Sequence, residues 1–224
     1  LPQKRQTLLF SATMPQEIFF LIKRFMSSPI TIKAQKTVSK HKLKQFYYDI
    51  RDEEKLSLLI HLIKKEKPRM AIIFCATKRM TDTVTNILKR QGIKANALHG
   101  DISQHQRLNV MENFHKGNPR ILVATDVASR GLDIKDVSHI FNFDVPQDTD
   151  SYTHRIGRTA RIGAEGKAIT LLAKRDHEAF RRIMRESKDI KKVEERNYPI
   201  LKIRMPRPSH RGGSRGFRGR SRKR

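Results

Sequence analysis

Short apolar runs alternate with longer amphipathic segments over most of the chain. The apolar runs predict strands at residues 46–50, 70–75, 94–98, 121–125, 137–143 and 167–173. Between them, apolar residues that recur every three or four positions predict helices at residues 52–66, 78–92, 103–116 and 175–186. Strands that alternate with helices, at connections too long for hairpins, indicate right-handed β-α-β units. The sequence therefore predicts an α/β fold with about six parallel strands and with helices on both faces of the sheet.

The two ends of the chain depart from this pattern. Residues 1–33 predict a strand at 6–10, then a helix to Met26 that Thr13 caps, then a short strand at 30–32. Residues 34–44 are basic and polar without an apolar period, so they predict a linker. We therefore expect an amino-terminal fragment of another unit, a main domain over residues 45–190 and a basic tail over residues 191–224.

The chain is strongly basic, with 48 Lys and Arg against 22 Asp and Glu and a net charge of +26. This excess indicates a polyanionic partner, either a nucleic acid or an anionic membrane surface. The last 29 residues, Arg196–Arg224, contain eleven Lys or Arg and no acidic residue, and Gly alternates irregularly with Arg. Such a segment cannot bury a core, so it is predicted to be disordered. Its Arg-Gly composition is typical of RNA contact that does not depend on sequence, and a solubilising role is the alternative.

Other residue types exclude several classes of protein. Cys75 is the only cysteine, which excludes an internal disulfide, and its apolar surroundings predict a buried small hydrophobe. No apolar run is long enough to span a bilayer, and the first residues do not form a signal peptide. His99, His105 and His115 lack metal-ligand spacing, so no metal site is predicted. Because the chain begins with Leu, we expect a fragment or a processed chain.

Small, polar and cationic residues follow the predicted strands, at the edge of a parallel sheet where ligands bind. These residues are Thr77, Gly100, Gln104, Arg107, Thr125 and the segment 129–133. Thr hydroxyls, Gly backbone and helix N-termini suit a phosphodiester chain whose bases are not read. For Gln104 and Arg107 an exposed helix start is the alternative, and for Asp133 a local turn cap.

The segment HRIGRTAR, from His154 to Arg161, concentrates positive charge after the fifth strand of the main domain. Asp150 and Ser151 before it have the character of a helix start. On a helix through the whole segment, His154, Arg158 and Arg161 would share one stripe and Arg155 would lie on another face. A solvated helix face is the alternative interpretation of this stripe.

Five motifs together resemble the DEAD-box family of RNA helicases. The segment ATDVASRGLD at 124–133, followed by HRIGRTAR, closely resembles the last two signature motifs of that family. Ser11-Ala12-Thr13, IIFCAT at 72–77 and the Gln104-x-x-Arg107 pair match in the same order and spacing. The resemblance implies two RecA-like domains that close on ATP and single-stranded RNA, and a coupling of ATP hydrolysis to RNA duplex unwinding and RNP remodelling. The chain would supply the second domain and the last strand and helix of the first.

The resemblance also implies a role for each site residue. Arg158, Arg161 and Arg130 are expected to be catalytic, the first two as arginine fingers on the γ-phosphate. ATP binding is expected at Gly131, Asp133, Arg158 and Arg161, with Asp133 on the ribose. RNA binding is expected at Thr77, Gly100, Gln104, Arg107 and Thr125. Ser11, Thr13 and His154 are expected to couple the two domains.

The sequence contains neither a GxxxxGK[ST] phosphate loop nor an Asp-Glu-Ala-Asp motif. The ligands of Mg²⁺, which accompanies ATP, are therefore expected on the missing first domain, and the chain alone is expected to be inactive. The implied partners are RNA and that amino-terminal RecA-like domain, without a membrane, and the implied location is cytoplasmic, with a nuclear or nucleolar one left open. Two other functions stay open: a non-catalytic RNA-binding or chaperone module, and part of a related helicase that acts on DNA.

Overall fold

The computed structural model describes residues 2, 4–11, 14, 16–32, 43–129, 134, 137–160, 165–187 and 189–201. Its strands are β1 (Leu43–Asp49), β2 (Ala71–Phe74), β3 (Ala95–Leu98), β4 (Ile121–Ala124), β5 (His139–Asn142), β6 (Gly166–Leu172) and β7 (Ile190–Lys192). Its helices are α1 (Gln16–Phe25), α2 (Lys55–Glu66), α3 (Lys78–Arg90), α4 (Gln104–His115), α5 (Asp126–Ser129), α6 (Thr149–Ile156) and α7 (His177–Glu186). Short 3-10 turns at Asp52–Glu54 and Lys174–Asp176 lead into α2 and α7.

The seven strands form one parallel sheet in the order β3-β4-β2-β5-β6-β1-β7. One face carries a core that includes side chains of α4, α6 and α7, and the opposite face carries a second core with α2 and α3. The central strands are fully buried because helices cover both faces. The predicted α/β fold is confirmed, and β7 adds a seventh strand that the apolar pattern did not predict.

Local sequence signals set several helix ends as predicted. Ser103 begins α4 with a capping box: its hydroxyl accepts from the backbone of Gln106, and the Gln106 side chain accepts from the backbone of Ser103. Gly92 follows α3 with φ +76°, a left-handed conformation that a residue with a Cβ rarely adopts. Ser103 therefore sets the start of α4, and Gly92 sets the end of α3 before β3 begins.

The predicted strands at 6–10 and 30–32 are wrong, because the structure contains no strand in either segment. A strand needs a neighbour for its backbone hydrogen bonds, and the sheet of the main domain ends at β3 and β7. Helix α1 forms as predicted, but none of its residues is buried, and Phe20 is 78% exposed. The apolar stripe of Ile18, Leu21, Ile22 and Phe25 on this helix is therefore not buried. The predicted cap Thr13 lies outside the described residues.

We expect fast amide hydrogen exchange over residues 6–26 of the isolated chain. Phe10 is 89% exposed and α1 buries no side chain, so little opposes local opening of this segment. Hydrogen exchange with mass spectrometry measures this directly, with the buried β2 peptide as the slow reference. Slow exchange over 6–26 in a monomer would mean that the segment docks on the main domain.

The chain stays packed on the domain beyond residue 191, where the sequence places the start of the tail. Val193, Tyr198 and Leu201 pack against the α2 side of the sheet. The backbone N–H of Leu201 donates to Ser57 Oγ at 3.0 Å, and the Tyr198 ring lies 5.9 Å from the His61 ring. The predicted disorder of the whole segment 196–224 is therefore wrong for residues 196–201. Residues 202–224 and most of the predicted linker lie outside the described residues.

Candidate functional site at the carboxyl edge of the sheet

The loops that carry the predicted RNA-binding residues meet at one edge of the sheet. Strands β3, β4, β2 and β5 are consecutive neighbours, and all run in the same direction. Thr77 follows β2, Gly100 follows β3 and Thr125 follows β4. Thr77 and Gly100 are exposed and Thr125 is half-buried. The edge therefore presents hydroxyls and open backbone to solvent.

Thr77 is held in place by the start of α3 and by β5. Its Oγ1 accepts from the Met80 backbone at 3.1 Å, so it is the N-cap of α3. The preceding Ala76 N–H donates to Asp144 Oδ2 at 2.8 Å. A cap and a buried carboxylate thus fix the position of Thr77 without covering it.

The loop after β3 leads into α4, which contacts the loop after β4. Gly100 is exposed, and a Cβ built on it would meet no atom within 4 Å. Gln104 is the exposed first residue of α4, and the half-buried Arg107 donates from Nη2 to the Ala128 carbonyl in α5. This contact joins two of the predicted RNA-binding loops. The alternative interpretation of Gln104 and Arg107 as an exposed helix start fits Gln104 better than Arg107.

Helix α6 does not run through the HRIGRTAR segment. It begins after Asp148, whose Oδ1 accepts from the Ser151 backbone at 2.6 Å, and it ends at Ile156. The predicted start at Asp150 and Ser151 is wrong because Asp148 is the residue in extended conformation with a capping carboxylate. The predicted stripe on a continuous helix is wrong as well, since Arg158 lies beyond the last helical turn.

His154 and Arg158 nevertheless face one cleft. Both are half-buried. The cleft is lined by Phe74, Asp126, Ser129, Ser151, His154, Arg155 and Arg158. The residue after Arg158 is anchored, because Thr159 forms a parallel bridge with Val137 and its hydroxyl donates to the Val137 carbonyl. Arg158 is thereby fixed from both sides, by α6 and by this bridge.

Gly166, the first residue of β6, approaches the same anchored segment. A Cβ at this position would lie 2.3 Å from Thr159 Oγ1 and 2.8 Å from the Ala160 backbone nitrogen. Atoms this close overlap, so only glycine permits the contact. The close approach holds the segment after Arg158 against the sheet.

Arg155 is the residue at the site that sequence reasoning missed. It is 3% exposed, and its guanidinium stacks over the Phe74 ring at 4.9 Å. Its Nε and Nη2 donate to the two carboxylate oxygens of Asp126, each at 2.7 Å. Its Nη1 donates to Asn142 Oδ1 at 3.1 Å and to the Asp144 carbonyl at 2.7 Å. The sequence placed Arg155 on a face away from the predicted stripe but gave no indication of its partner.

A second group of charges lies beside Asp144. Lys55 is 1% exposed, and its Nζ lies 2.8 Å from Asp176 Oδ2 and 3.9 Å from Asp144 Oδ1. Arg175 reaches Asp144 Oδ1 at 3.3 Å. Burial of a cation costs several kcal/mol unless it is paired, and these carboxylates supply the pairing. Asp144 thus links this group to the backbone of the loop after β2.

The buried groups near the cleft are not nucleophiles. Cys75 is fully buried, and burial raises the pKa of its thiol well above the usual range. Burial also raises the pKa of Tyr152, whose hydroxyl donates to Gln45 Oε1 at 2.8 Å. Both side chains therefore stay protonated at neutral pH.

Of the remaining predicted site residues, the structure describes only Ser11. Ser11 is exposed, next to α1. Thr13, Arg130, Gly131, Asp133 and Arg161 lie outside the described residues. Within the described residues no group of three or more His, Cys, Asp or Glu could hold a metal ion, and no helix is long and apolar enough to cross a membrane.

The fold and this edge together define a RecA-like helicase domain. The family model for the helicase conserved C-terminal domain matches residues 54–163. The DEAD-box ATP-dependent RNA helicase CshA of Geobacillus kaustophilus is 43% identical over 201 residues, which are 89% of this chain and 43% of the relative. The chain therefore spans less than half the length of the curated relatives it matches.

Two solved structures agree with this assignment. The Escherichia coli DEAD-box protein SrmB, crystallised with the regulator of ribonuclease activity A, is 40% identical, with a TM-score of 0.66 over 69% of this chain and 92% of that one. Saccharomyces cerevisiae Dbp5 bound to RNA and ADP BeF3 is 32% identical, with a TM-score of 0.77 over 86% of this chain and 52% of that one. The chain belongs to the DEAD-box RNA helicase family and contains its C-terminal helicase domain.

Proposed function

We propose that the chain is the C-terminal half of an ATP-dependent RNA helicase that couples ATP hydrolysis to local duplex unwinding and RNP remodelling. The observation that carries this proposal is the meeting of two kinds of residue at one sheet edge. Thr77 and Thr125 follow the neighbouring strands β2 and β4, and His154 and Arg158 line the cleft next to them. A shift of the RNA-binding loops can therefore alter the position of the cleft residues, and the reverse also holds.

RNA binds, in this proposal, across the loops after β2, β3 and β4. Thr77 and Thr125 offer hydroxyls, Gly100 offers open backbone, and Gln104 and Arg107 stand at the first turn of α4. Helix N-termini attract phosphate oxygens through their free N–H groups. Contacts of this kind hold the sugar-phosphate chain and leave the bases unread, as a helicase that acts on many sequences requires.

ATP would lie between this domain and a first RecA-like domain. Arg158 and Arg161 act on the γ-phosphate, where negative charge develops during phosphoryl transfer, and a fixed guanidinium stabilises that charge. Arg130 would approach the attacking water or the acidic motif of the first domain, and Gly131 and Asp133 would bind the nucleotide, with Asp133 on the ribose hydroxyls. His154, Ser11 and Thr13 couple the two domains.

The cationic side chains that line the cleft suit the phosphate end of ATP by charge, whereas its described carboxylate does not suit Mg²⁺. The cleft presents Arg158 and His154, while its one carboxylate, Asp126, is engaged by Arg155. Mg²⁺ requires several oxygen ligands in octahedral geometry, which this cleft does not supply. We therefore assign the Mg²⁺ ligands to the first domain.

The chain alone should release no phosphate from ATP at a useful rate. It contains no phosphate loop and no Asp-Glu-Ala-Asp motif, so half of the catalytic site is missing. A phosphate-release assay on the purified, nuclease-treated chain, with and without RNA, measures this. The matched control adds a first RecA-like domain in trans or in cis. RNA-stimulated release by the chain itself would contradict the proposal.

A non-catalytic RNA-binding or chaperone module is the second candidate. The net charge of +26 and the basic tail favour it, because they give RNA affinity without any nucleotide. The mass of the native polypeptide distinguishes the two candidates, since a helicase must carry a first domain. The third candidate is part of a related helicase that acts on DNA. Binding competition between RNA and DNA of the same sequence tests it. The cytoplasmic location stays a prediction.

A further inference from the structure

We propose that Arg155 is a positioning residue that holds the Arg158 segment in register with the RNA-binding loops. The proposal rests on the proposed function, because it assigns to Arg155 the link between the two halves of that site. Arg155 is 3% exposed, so in this proposal it makes no direct contact with the nucleotide or RNA. It acts through Asp126 and Asp144.

The contacts of Arg155 fix an orientation as well as a distance. Two parallel N–H···O bonds of 2.7 Å join its guanidinium to the Asp126 carboxylate, and the third nitrogen donates to Asn142 and to the Asp144 carbonyl. Asn142 in turn donates to Thr170 Oγ1 at 3.1 Å. A planar fork with both edges occupied cannot rotate without breaking several hydrogen bonds at once.

Two partners of Arg155, Asp126 and Asp144, lie close to residues of the proposed site. Asp126 directly follows Thr125 in the chain. Asp144, whose carbonyl accepts from Arg155, also accepts from the backbone of Ala76, which directly precedes Thr77. The Arg155 side chain therefore connects the loops after β4 and β2 with the end of α6.

Helix stability alone does not explain this arrangement. A buried ion pair is often no more stabilising than apolar residues of the same volume. Helix α6 also has an independent anchor, since the buried Tyr152 hydroxyl bonds Gln45 at 2.8 Å. Tyr152 ties α6 to β1, whereas Arg155 ties it to the loop that carries Thr125.

Two conservative substitutions test the bidentate geometry of the Arg155–Asp126 pair separately from the charge of Arg155. Arg155→Lys keeps the positive charge and loses the bidentate geometry, and Asp126→Asn keeps the shape and loses the carboxylate. Tyr152→Phe is the matched control, because it removes one buried hydrogen bond from the same helix without touching the Asp126 loop. All three are made in the chain joined to a first RecA-like domain.

We expect Arg155→Lys and Asp126→Asn to lower kcat at saturating RNA by about tenfold to a hundredfold, the effect of a small misplacement of a catalytic group. The KM for ATP should stay within about twofold of the parent, because the ground-state contacts of the nucleotide are kept. Tyr152→Phe should keep kcat within about twofold while lowering the unfolding midpoint. Equal kcat losses in Arg155→Lys and Tyr152→Phe, or no loss in Arg155→Lys, would overturn the proposal.

Hydrogen exchange on the chain alone tests the link without any ATPase activity. Arg155→Lys should speed exchange at residues 76–80, 125–129 and 154–160 together, while Tyr152→Phe should affect α6 and β1 only. Unchanged exchange at 76–80 and 125–129 in Arg155→Lys overturns the proposal. If the two-domain protein shows no RNA-stimulated hydrolysis, the proposed function fails, and this exchange pattern still decides the role of Arg155.

Discussion

Arg158→Ala should slow ATP hydrolysis by the two-domain protein by about 10³-fold to 10⁵-fold, the range known for arginine fingers, and Arg161→Ala should do the same. The loss should appear in kcat at saturating RNA and ATP, because a finger stabilises charge that exists only in the transition state. RNA affinity should survive, since the RNA-binding loops are built by other strands. The measurement is steady-state hydrolysis together with RNA binding by anisotropy.

Arg182→Ala is the matched control for this prediction. Arg182 is an exposed arginine on α7, so its loss changes the net charge by the same amount at a distance from the cleft. This variant should hydrolyse ATP at the parent rate. Near-parent turnover in either finger variant would show that the finger assignment is wrong. A loss in RNA affinity alone would instead make Arg158 a binding residue.

Removal of the residues after Leu201 should flatten the salt dependence of RNA binding by about 3.5 log units per log unit of salt, if roughly five phosphate contacts come from the tail at about 0.7 each. The removed segment contains ten Lys and Arg and no Asp or Glu. The loss should be similar for unrelated RNA sequences, because Arg-Gly segments contact the backbone and stack loosely on bases. RNA titrations over a range of salt concentrations measure the slope.

The position of the truncation matters for this experiment. A chain that ends at Glu195 would also lose Tyr198 and Leu201, which pack on α2, and its binding could fall because the domain is destabilised. A chain that ends at Leu201 keeps those contacts, and an unchanged unfolding midpoint serves as the control. An unchanged salt slope would make the tail a solubility device. A loss confined to one RNA sequence would make it a specific reader.

The sequence was sufficient for the main domain because its signals are local. Apolar runs marked six strands, and Ser103 and Gly92 marked helix ends through contacts within a few residues. The start of β1 was placed at residue 46 instead of Leu43 because the polar Lys44 and Gln45 interrupt the apolar run after Leu43. A polar start is compatible with a strand whose first residues pair with β6 and β7, which no local pattern reveals.

The features that the sequence did not predict correctly depend on contacts between residues far apart in the chain. Arg155 lies in a run of similar cations, and only the fold brings Asp126, which is 29 residues earlier, against its guanidinium. The strand predicted at 6–10 failed for the opposite reason, since its apolar side chains are present but the described sheet offers it no neighbour. Arg158 was assigned to a helix because periodicity cannot show where Asp148 starts α6 and Ile156 ends it.

The strand order has a consequence for how the domain is made on the ribosome. Strand β1 is the first strand of this sheet along the chain, yet its neighbours are β6 and β7, the last two. Roughly 120 residues separate β1 from β6, so at ~5–20 residues per second the first strand waits about 6–24 s for its partner. During that interval β2, β3, β4 and β5 can pair among themselves, while β1 remains an unpaired edge. The sheet therefore closes around its earliest strand only after β6 has been translated.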